Sequence, residues 1–205
     1  HEEGSRKIYD IMDWLKEHAI HEATIYAFSI QNFNRPKKEF EFLMKVFGKM
    51  AKELLEENFH LLEDDQVRIN FIGRLDLFPE ELQGYMEELI QKTKEHEKYQ
   101  VNVAVGYGGQ EEIVDATKRL AEDVKDGRVD PEKLTNEIFA SYLYLDSQPD
   151  LVVRTGGERR LSNFLTWQSV YSELFFIDKM WPELEKEDFD EVIEEYRSRE
   201  RRFGR

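Results

Sequence analysis

Hydrophobic positions along the chain follow two spacings, one typical of buried strands and the other of amphipathic helices. Short runs rich in β-branched and aromatic residues predict strands at residues 23–29, 66–73, 99–109, 150–155 and 172–178. Apolar residues three and four apart predict helices at residues 5–18, 36–59, 110–125, 131–143 and 187–200, and another that begins at Pro79. Because strands and helices alternate, the pattern predicts a single α/β domain over residues 1–205, with a mostly parallel five-stranded central sheet flanked by helices.

Three of the predicted strands are followed by polar or glycine-containing loops, at residues 29–35, 106–110 and 154–162. Parallel sheets bind ligands beyond the carboxyl ends of their strands, where such loops meet. The sequence therefore predicts a ligand site at that edge of the sheet.

Composition narrows the class of protein. Hydrophobic residues make up 40% of the chain and charged residues 36%, which is typical of a soluble globular protein. The formal net charge of −15 argues against nucleic acid as a partner, because phosphates would be repelled on average. The chain has no cysteine and no apolar run of the roughly 20 residues that cross a bilayer, so we expect a cytoplasmic protein.

Positive charge gathers in one of these loops. Arg154, Arg159, Arg160 and Ser162 surround the pair Gly156–Gly157, whose backbone could approach a ligand closely with its N–H groups exposed. Arginine forks suit phosphate oxygens, which predicts a phosphate or diphosphate cradle. The alternative is that these arginines only offset nearby glutamates.

Other candidates have two interpretations each. Glu158 and Glu173 could pair with the arginines or hold Mg²⁺ against phosphate oxygens. The segment "GYGGQ", residues 106–110, resembles half of a nucleotide-binding loop, although a lone glycine pair is weak evidence. The apolar faces of the strands and helices could form an ordinary core or line a slot for a long hydrocarbon.

Several segments carry a resemblance to a known family. "DLVVRTGGERRLSNFLTWQSVYSELFFIDKMWPE" at residues 150–183 and "RERRFG" at 199–204 resemble the signature of the cis-prenyltransferases. "YAFSIQNFNRP" at 26–36 and "VNVAVGYGG" at 101–109 resemble two further segments of that family. The resemblance implies Mg²⁺-dependent condensation of isopentenyl diphosphate onto an allylic diphosphate primer. It also implies a Z-polyprenyl product that grows in a hydrophobic tunnel between sheet and helices.

The resemblance assigns roles to residues that match the motifs. Substrate binding is implied for the residues His1, Ser29, Ile30, Gln31, Phe33, Arg35, Arg154, Arg160, Leu161, Ser162, Arg202 and Gly204. Within this set, Arg154, Arg160 and Ser162 would hold the diphosphate of isopentenyl diphosphate. Asn32 and His1 are implied in catalysis, Asn32 through removal of a proton. Glu173 would contact Mg²⁺, whereas Arg159 stands where relatives often have histidine and is not expected to be a ligand. Arg202 and Gly204 would reach the site of a neighbouring subunit, which implies a homodimer.

The chain also departs from the family pattern. Gln31 and Gln110 replace a common glutamate and a common arginine, and Phe33 replaces a tryptophan. The Asp-Gly-Asn motif that binds the allylic diphosphate does not occur in these 205 residues. We expect a segment ahead of His1 to carry that motif and a sixth strand, and we expect impaired turnover without it.

Two other functions compete with chain elongation. A non-catalytic partner subunit would lack the aspartate, but such subunits usually lose several substrate residues that this chain retains. A nucleotide hydrolase would need the motif G-x-x-x-x-G-K-[ST], which does not occur. We therefore expect an enzyme, with peripheral membrane contact through its lipid product. Tyr99 and Val105 are larger than the residues that some members of the resembled family carry there, which favours a shorter product.

Overall fold

The computed structural model of the protein describes residues 2–199, with side chains from residue 7 onward. Within this range the α-helices are α1 Glu2–Glu17, α2 Lys37–Glu56, α3 Phe59–Asp64, α4 Glu80–Thr93, α5 Gly109–Lys125, α6 Asn136–Ala140 and α7 Lys186–Ser198. The strands are β1 Glu22–Ser29, β2 Val67–Ile72, β3 Tyr99–Tyr107, β4 Leu151–Arg154 and β5 Glu173–Phe176. Helices α2 and α4 begin at Lys37 and Glu80, so Pro36 and Pro79 are the N-caps, one residue before the first turn in which they were predicted.

All strand pairs in the described part of the chain are parallel, which confirms the predicted α/β class. The five strands, however, form two hydrogen-bonded sheets instead of one, with the orders β1-β3-β2 and β4-β5. The central strand β3 pairs along both edges, whereas within the described residues β1 and β4 each pair along one edge. No backbone ladder joins the two sheets in this part of the chain.

Helices α2 and α4 cover one face of the three-stranded sheet through a large apolar cluster. Its buried members come from these helices, α3, the sheet and the segment before α4: Phe28, Leu43, Met44, Ala51, Leu55, Leu62, Val67, Ile69, Phe78, Leu82, Met86, Leu89, Val101 and Val105. Phe28 lies at the centre of a ring cluster, with the rings of Phe33, Phe47 and Phe78 at 5.1, 5.8 and 5.7 Å. The apolar faces predicted from the sequence therefore pack against one another on this side of the sheet, and we call this cluster the apolar wall.

A second apolar cluster connects the two sheets. Trp14 and Leu15 of α1 pack with Phe189 and Ile193 of α7, and this group contacts Ala23 of β1 and Leu151 of β4. The rings of Trp14 and Phe189 lie 5.9 Å apart. Helices α1 and α7 thus hold β1 and β4 in place where no ladder joins them.

Two predicted helices are shorter than expected. The helix predicted at 36–59 ends at Glu56, and a separate helix, α3, begins at Phe59. The helix predicted at 131–143 is reduced to a 3₁₀ turn at Pro131–Lys133 followed by α6. Leu134 is extended there, with φ −65° and ψ 125°, and the side chain of Thr135 caps α6.

Among the described residues, no helix combines the length and the apolar character that crossing a membrane requires.

Candidate active site

The predicted loops meet at the carboxyl edge of the strands. Ser29 at the end of β1 is in register with Tyr107 at the end of β3. The ring of Tyr26 on β1 stacks on Phe164 at 4.7 Å, and its hydroxyl donates to the carbonyl of Tyr107 at 3.2 Å. The ends of β1 and β3 and the segment after Ser162 therefore form one surface.

The loop after β1 is a short, ordered turn. Residues Ile30–Asn34 form a 3₁₀ helix, and the side-chain oxygen of Asn32 accepts a hydrogen bond from the N–H of Ser29 at 2.9 Å. Phe33 packs its ring on Phe28 and Phe78, while Arg35 forms an ion pair with Glu39. The predicted substrate residues in this loop are half-buried (Ser29, Ile30, Asn32, Phe33) or exposed (Gln31, Arg35).

The arginine loop after β4 brings together three of the predicted diphosphate ligands. Arg154 Nη1 donates to Ser162 Oγ at 2.7 Å, and Arg160 Nε donates to the same oxygen at 3.2 Å. Arg154 also donates to the carbonyl of Arg160, and Arg160 forms an ion pair with Glu158. Two guanidinium groups and one hydroxyl thus converge near solvent, which is a suitable arrangement for an anion with several oxygens. Leu161, which lies between Arg160 and Ser162 in sequence, is half-buried, and Arg159 is exposed.

The glycine pair in this loop does not serve as predicted. Gly156 and Gly157 have φ values of 88° and 72°, which only glycine adopts readily. Their N–H groups, however, donate to the carbonyls of Lys179 and Ile177 at 2.8 and 3.1 Å, so they are not exposed to a ligand. The turn folds the chain back along the end of β5, and the donors left for a diphosphate are side chains.

The second glycine pair explains "GYGGQ" without a nucleotide. Gly108 is extended, with φ −159°, and Gly109 begins α5. A Cβ on Gly109 would lie 2.3 Å from Thr166 Oγ1 and 2.9 Å from the backbone nitrogen of Thr166. A Cβ on Gly108 would lie 2.6 Å from Asn163 Nδ2. These glycines therefore allow the segment after Ser162 to pack directly on the start of α5.

A buried carboxylate lies below this contact. Glu112 on α5 is fully buried, and it accepts hydrogen bonds from the hydroxyl of Tyr107, the N–H of Tyr144 at 2.7 Å and Gln168 Nε2 at 3.1 Å. Burial, together with the negative charge of Glu112, raises the pKa of Tyr107, so that its phenol remains a proton donor. Glu112 was not predicted from the sequence, because a glutamate in the first turn of a helix is ordinarily exposed.

A second carboxylate on α5 pairs with the end of β2. Arg74 donates from Nε and Nη2 to Asp115 at 2.8 and 3.0 Å, and the hydroxyl of Tyr144 donates to it at 2.7 Å. The hydrogen bonds from Arg74 lower the pKa of Asp115 from 3.8 to about 2. Burial alone would raise this pKa, and the hydrogen bond from Tyr144 helps to lower it. This pair holds the loop after β2 against α5.

The substitution Asp115→Asn is expected to lower stability at neutral pH and to lose most of that effect in acid. A carboxyl with a lowered folded pKa contributes stability above its unfolded pKa, and the contribution fades as pH falls from 3.8 toward about 2. Urea unfolding of both proteins across this range is the measurement. A difference in unfolding free energy that stays constant with pH would contradict the role of the ion pair.

The structure does not bring Glu173 to the arginine loop. Glu173 is in register with Leu151, three residues before Arg154, which places it roughly 10 Å farther back along the strand pair. Since successive side chains alternate, Glu173 also lies on the opposite face from Arg154. It forms an ion pair with Arg199 at 2.6 Å, and the guanidinium of Arg199 lies 4.2 Å from the ring centroid of Phe175.

The residues described here contain no cluster of three or more histidine, cysteine, aspartate or glutamate side chains that could hold a metal ion. His1, Arg202 and Gly204 lie outside the described residues.

Comparison with known proteins decides the family. The Prenyltransf family model, described as "Putative undecaprenyl diphosphate synthase", matches residues 1–204. The chain belongs to the cis-prenyltransferase family. Membership confirms the resemblance noted in the sequence, and the protein is accordingly an enzyme of the transferase class that elongates cis-prenyl chains.

Named relatives of this cis-prenyltransferase cover nearly its whole length. A tritrans,polycis-undecaprenyl-diphosphate synthase (geranylgeranyl-diphosphate specific) of Methanocaldococcus jannaschii is 42% identical over 98% of this chain and 73% of the relative. An isoprenyl transferase of Thermus thermophilus is 44% identical over 100% of this chain and 80% of the relative.

Solved structures agree with the fold of this cis-prenyltransferase. A probable undecaprenyl diphosphate synthase of Campylobacter jejuni is 33% identical with a TM-score of 0.87, covering 100% of this chain and 93% of the other. Lavandulyl diphosphate synthase of Lavandula x intermedia, solved with dimethylallyl diphosphate, is 31% identical with a TM-score of 0.90, covering 100% and 88%. These similarities confirm the α/β fold predicted from the sequence.

Proposed function

We propose that this cis-prenyltransferase condenses isopentenyl diphosphate onto an allylic diphosphate and releases pyrophosphate, making a Z-polyprenyl diphosphate. The observation that carries the proposal is the convergence of Arg154, Arg160 and Ser162 at the carboxyl edge of the strands. These three side chains would hold the diphosphate of isopentenyl diphosphate through charge-assisted hydrogen bonds. Ser29, Asn32 and Arg35 lie on the neighbouring loop, where they are suited to contact the second substrate.

The reaction forms one carbon–carbon bond per cycle. The allylic carbon–oxygen bond breaks, the alkene of isopentenyl diphosphate attacks the resulting cation, and a proton leaves the new chain. Because charge develops on phosphate oxygens, fixed positive groups lower the barrier. We assign Asn32 to the proton step, together with a phosphate oxygen of the substrate, since the hydrogen bond to Ser29 holds its amide in one orientation.

The product chain would grow along the apolar face between the sheet and helices α2 and α4. Aromatic and aliphatic side chains form this face, and Tyr99 and Val103 on β3 pack against it. Such a wall suits a hydrocarbon that must be kept from water. We propose that its depth sets the product length.

Tyr99 stands at the far end of this wall, since it begins β3 about 26 Å from the carboxyl end of the strand. The ring of Tyr99 stacks on His21 at 5.4 Å. The substitution Tyr99→Ala is expected to lengthen the product, because it removes the bulk of this ring from the end of the wall. Chromatography of the dephosphorylated products of both enzymes is the measurement. An unchanged product distribution would contradict this position as a stop.

We propose a homodimer in which an apolar patch beside β5 contacts a second copy. Val170, Tyr171 and Leu174 are 68%, 76% and 38% exposed, and they flank or belong to a strand that pairs only with β4 among the described residues. Glu173 faces away from Arg154 within one chain. If Glu173 contacts a diphosphate, that diphosphate would therefore be bound in the site of the second copy. Arg202 and Gly204 would likewise serve that site.

We propose Mg²⁺ as the metal, because the family relationship implies a divalent cation bound with diphosphate. The substrate's own diphosphate oxygens would supply most of the ligands, as is usual for Mg²⁺. A cytoplasmic location, with membrane contact through the lipid product, also remains a prediction from the composition and the family.

The decisive experiment uses the full-length protein, including any residues encoded ahead of His1. It is incubated with labelled isopentenyl diphosphate and allylic primers of several lengths, with Mg²⁺ or with a chelator. We expect Mg²⁺-dependent incorporation into lipid that the chelator abolishes and added Mg²⁺ restores. If the protein incorporates no label alone but activates a co-expressed relative, the non-catalytic partner role is correct instead.

A further inference from the structure

We propose that Asn163 is a positioning residue that clamps the arginine loop to the start of α5 and thereby sets the geometry of the diphosphate site. The inference rests on the proposed function, since it concerns how Arg154, Arg160 and Ser162 are held for isopentenyl diphosphate. Asn163 directly follows Ser162, so any movement of its backbone moves the hydroxyl on which both guanidinium groups converge.

Asn163 uses its backbone and both ends of its amide in this contact. Its carbonyl accepts from the N–H of Gly109 at 2.7 Å, and its Oδ1 accepts from the N–H of Gln110 at 2.8 Å. Its Nδ2 donates to Glu111 Oε2 at 2.8 Å. The first N–H groups of a helix have no partner within the helix. In α5, Asn163 accepts from one of them although it lies 53 positions away from Gln110 in sequence, and it therefore caps the helix.

The backbone at this point requires such a clamp. Ser162, Asn163 and Leu165 have φ values of 50°, 65° and 43°, a left-handed conformation that residues other than glycine adopt at a cost. Asparagine tolerates this region better than most residues. Three such residues within four positions persist only where surrounding contacts hold them. The bonds of Asn163 and the fully buried Leu165 and Gln168 provide those contacts.

The chemistry of the clamp distinguishes asparagine from its nearest substitutes. Aspartate could still accept from the N–H of Gln110, but it could not donate to Glu111 and would place two carboxylates in contact. Exchanging the partner as well, with Glu111→Gln, would restore one amide–carboxylate hydrogen bond in the reverse direction. The double substitution of Asn163 and Glu111 therefore preserves the hydrogen bond of the clamp and reverses only which residue donates it.

The test compares wild type, Asn163→Asp, Glu111→Gln and the double variant as full-length proteins. We expect Asn163→Asp to raise the KM for isopentenyl diphosphate by about tenfold, as the loss of one charge-assisted hydrogen bond would. The KM for the allylic primer is expected to change little. Glu111→Gln alone should be close to wild type, since Asn163 can still donate to the amide oxygen, and the double variant should recover most of the loss.

A merely structural role would give different results. Equal increases in both KM values, or a lower melting temperature without rescue in the double variant, would overturn the clamp. Calorimetric titration of the four proteins with inorganic pyrophosphate provides a second readout. If wild type incorporates no isopentenyl diphosphate, the proposed function fails, but weaker pyrophosphate binding by Asn163→Asp with rescue in the double variant would still support the clamp. Unchanged pyrophosphate binding would overturn it.

Discussion

Replacing Arg154 with alanine is expected to raise the KM for isopentenyl diphosphate and lower kcat, with a combined loss in kcat/KM of roughly 100-fold or more. Arg154 ends β4 and donates to both Ser162 Oγ and the carbonyl of Arg160. Its removal therefore takes away one phosphate donor and also releases the two groups that it organises. Steady-state kinetics with the primer saturating is the measurement.

The control for this result is Arg128→Ala, which removes the same charge from the turn that follows α5. Arg128 is exposed and pairs with Asp123 and Asp126, far from the loops of the site in sequence. Arg154→Lys is expected to recover only part of the activity, because an ammonium lacks the fork that makes two directed bonds. Equal kinetics for Arg154→Ala and Arg128→Ala would remove Arg154 from the site.

The second large effect is expected for stability, at Glu112. Glu112→Ala leaves the hydroxyl of Tyr107, one N–H of the Gln168 amide and the N–H groups of Tyr144 and Leu145 without their acceptor. Each buried polar group without a partner costs about 1–3 kcal/mol, so we expect a loss on the order of 3 kcal/mol or more in unfolding free energy. Urea denaturation followed by tyrosine and tryptophan fluorescence is the measurement.

Glu112→Gln separates charge from shape at this position. Glutamine keeps the volume and one acceptor, but its amide N–H₂ faces donors, so an intermediate loss is expected. Glu122→Ala, at an exposed position on the same helix, should stay within about 0.5 kcal/mol of wild type. If Glu112→Ala behaves like Glu122→Ala, the buried network does not stabilise the fold.

Much of the fold and of the site followed from local patterns. The apolar spacing predicted all five strands, because β-branched and aromatic runs such as Val67–Ile72 form strands wherever both faces are covered. The motif around Arg154, Arg160 and Ser162 predicted three side chains that the structure does bring together. Their clustering was visible because all three lie within nine residues of one loop.

Contacts between distant segments were not predictable in this way. The remote cap of α5 by Asn163 joins residues 53 apart, and the Glu112 network joins α5 to residues 32 and 56 positions later. The N–H groups of Gly156 and Gly157 were expected to face a ligand, but the returning chain near Lys179 accepts their hydrogen bonds. A local sequence pattern does not predict which backbone groups will form hydrogen bonds with a distant segment.

The amino-acid sequence by itself determined the α/β class, the order of the elements and the family, because periodicity and motif spacing are properties of short segments. The tertiary structure alone decided the division of the strands into two sheets and the placement of Glu173 on the face opposite Arg154. It also decided the use of Gly108 and Gly109 for close packing against residues 163–166. These features depend on which surfaces meet when the chain closes, and that is set by packing between segments far apart in sequence.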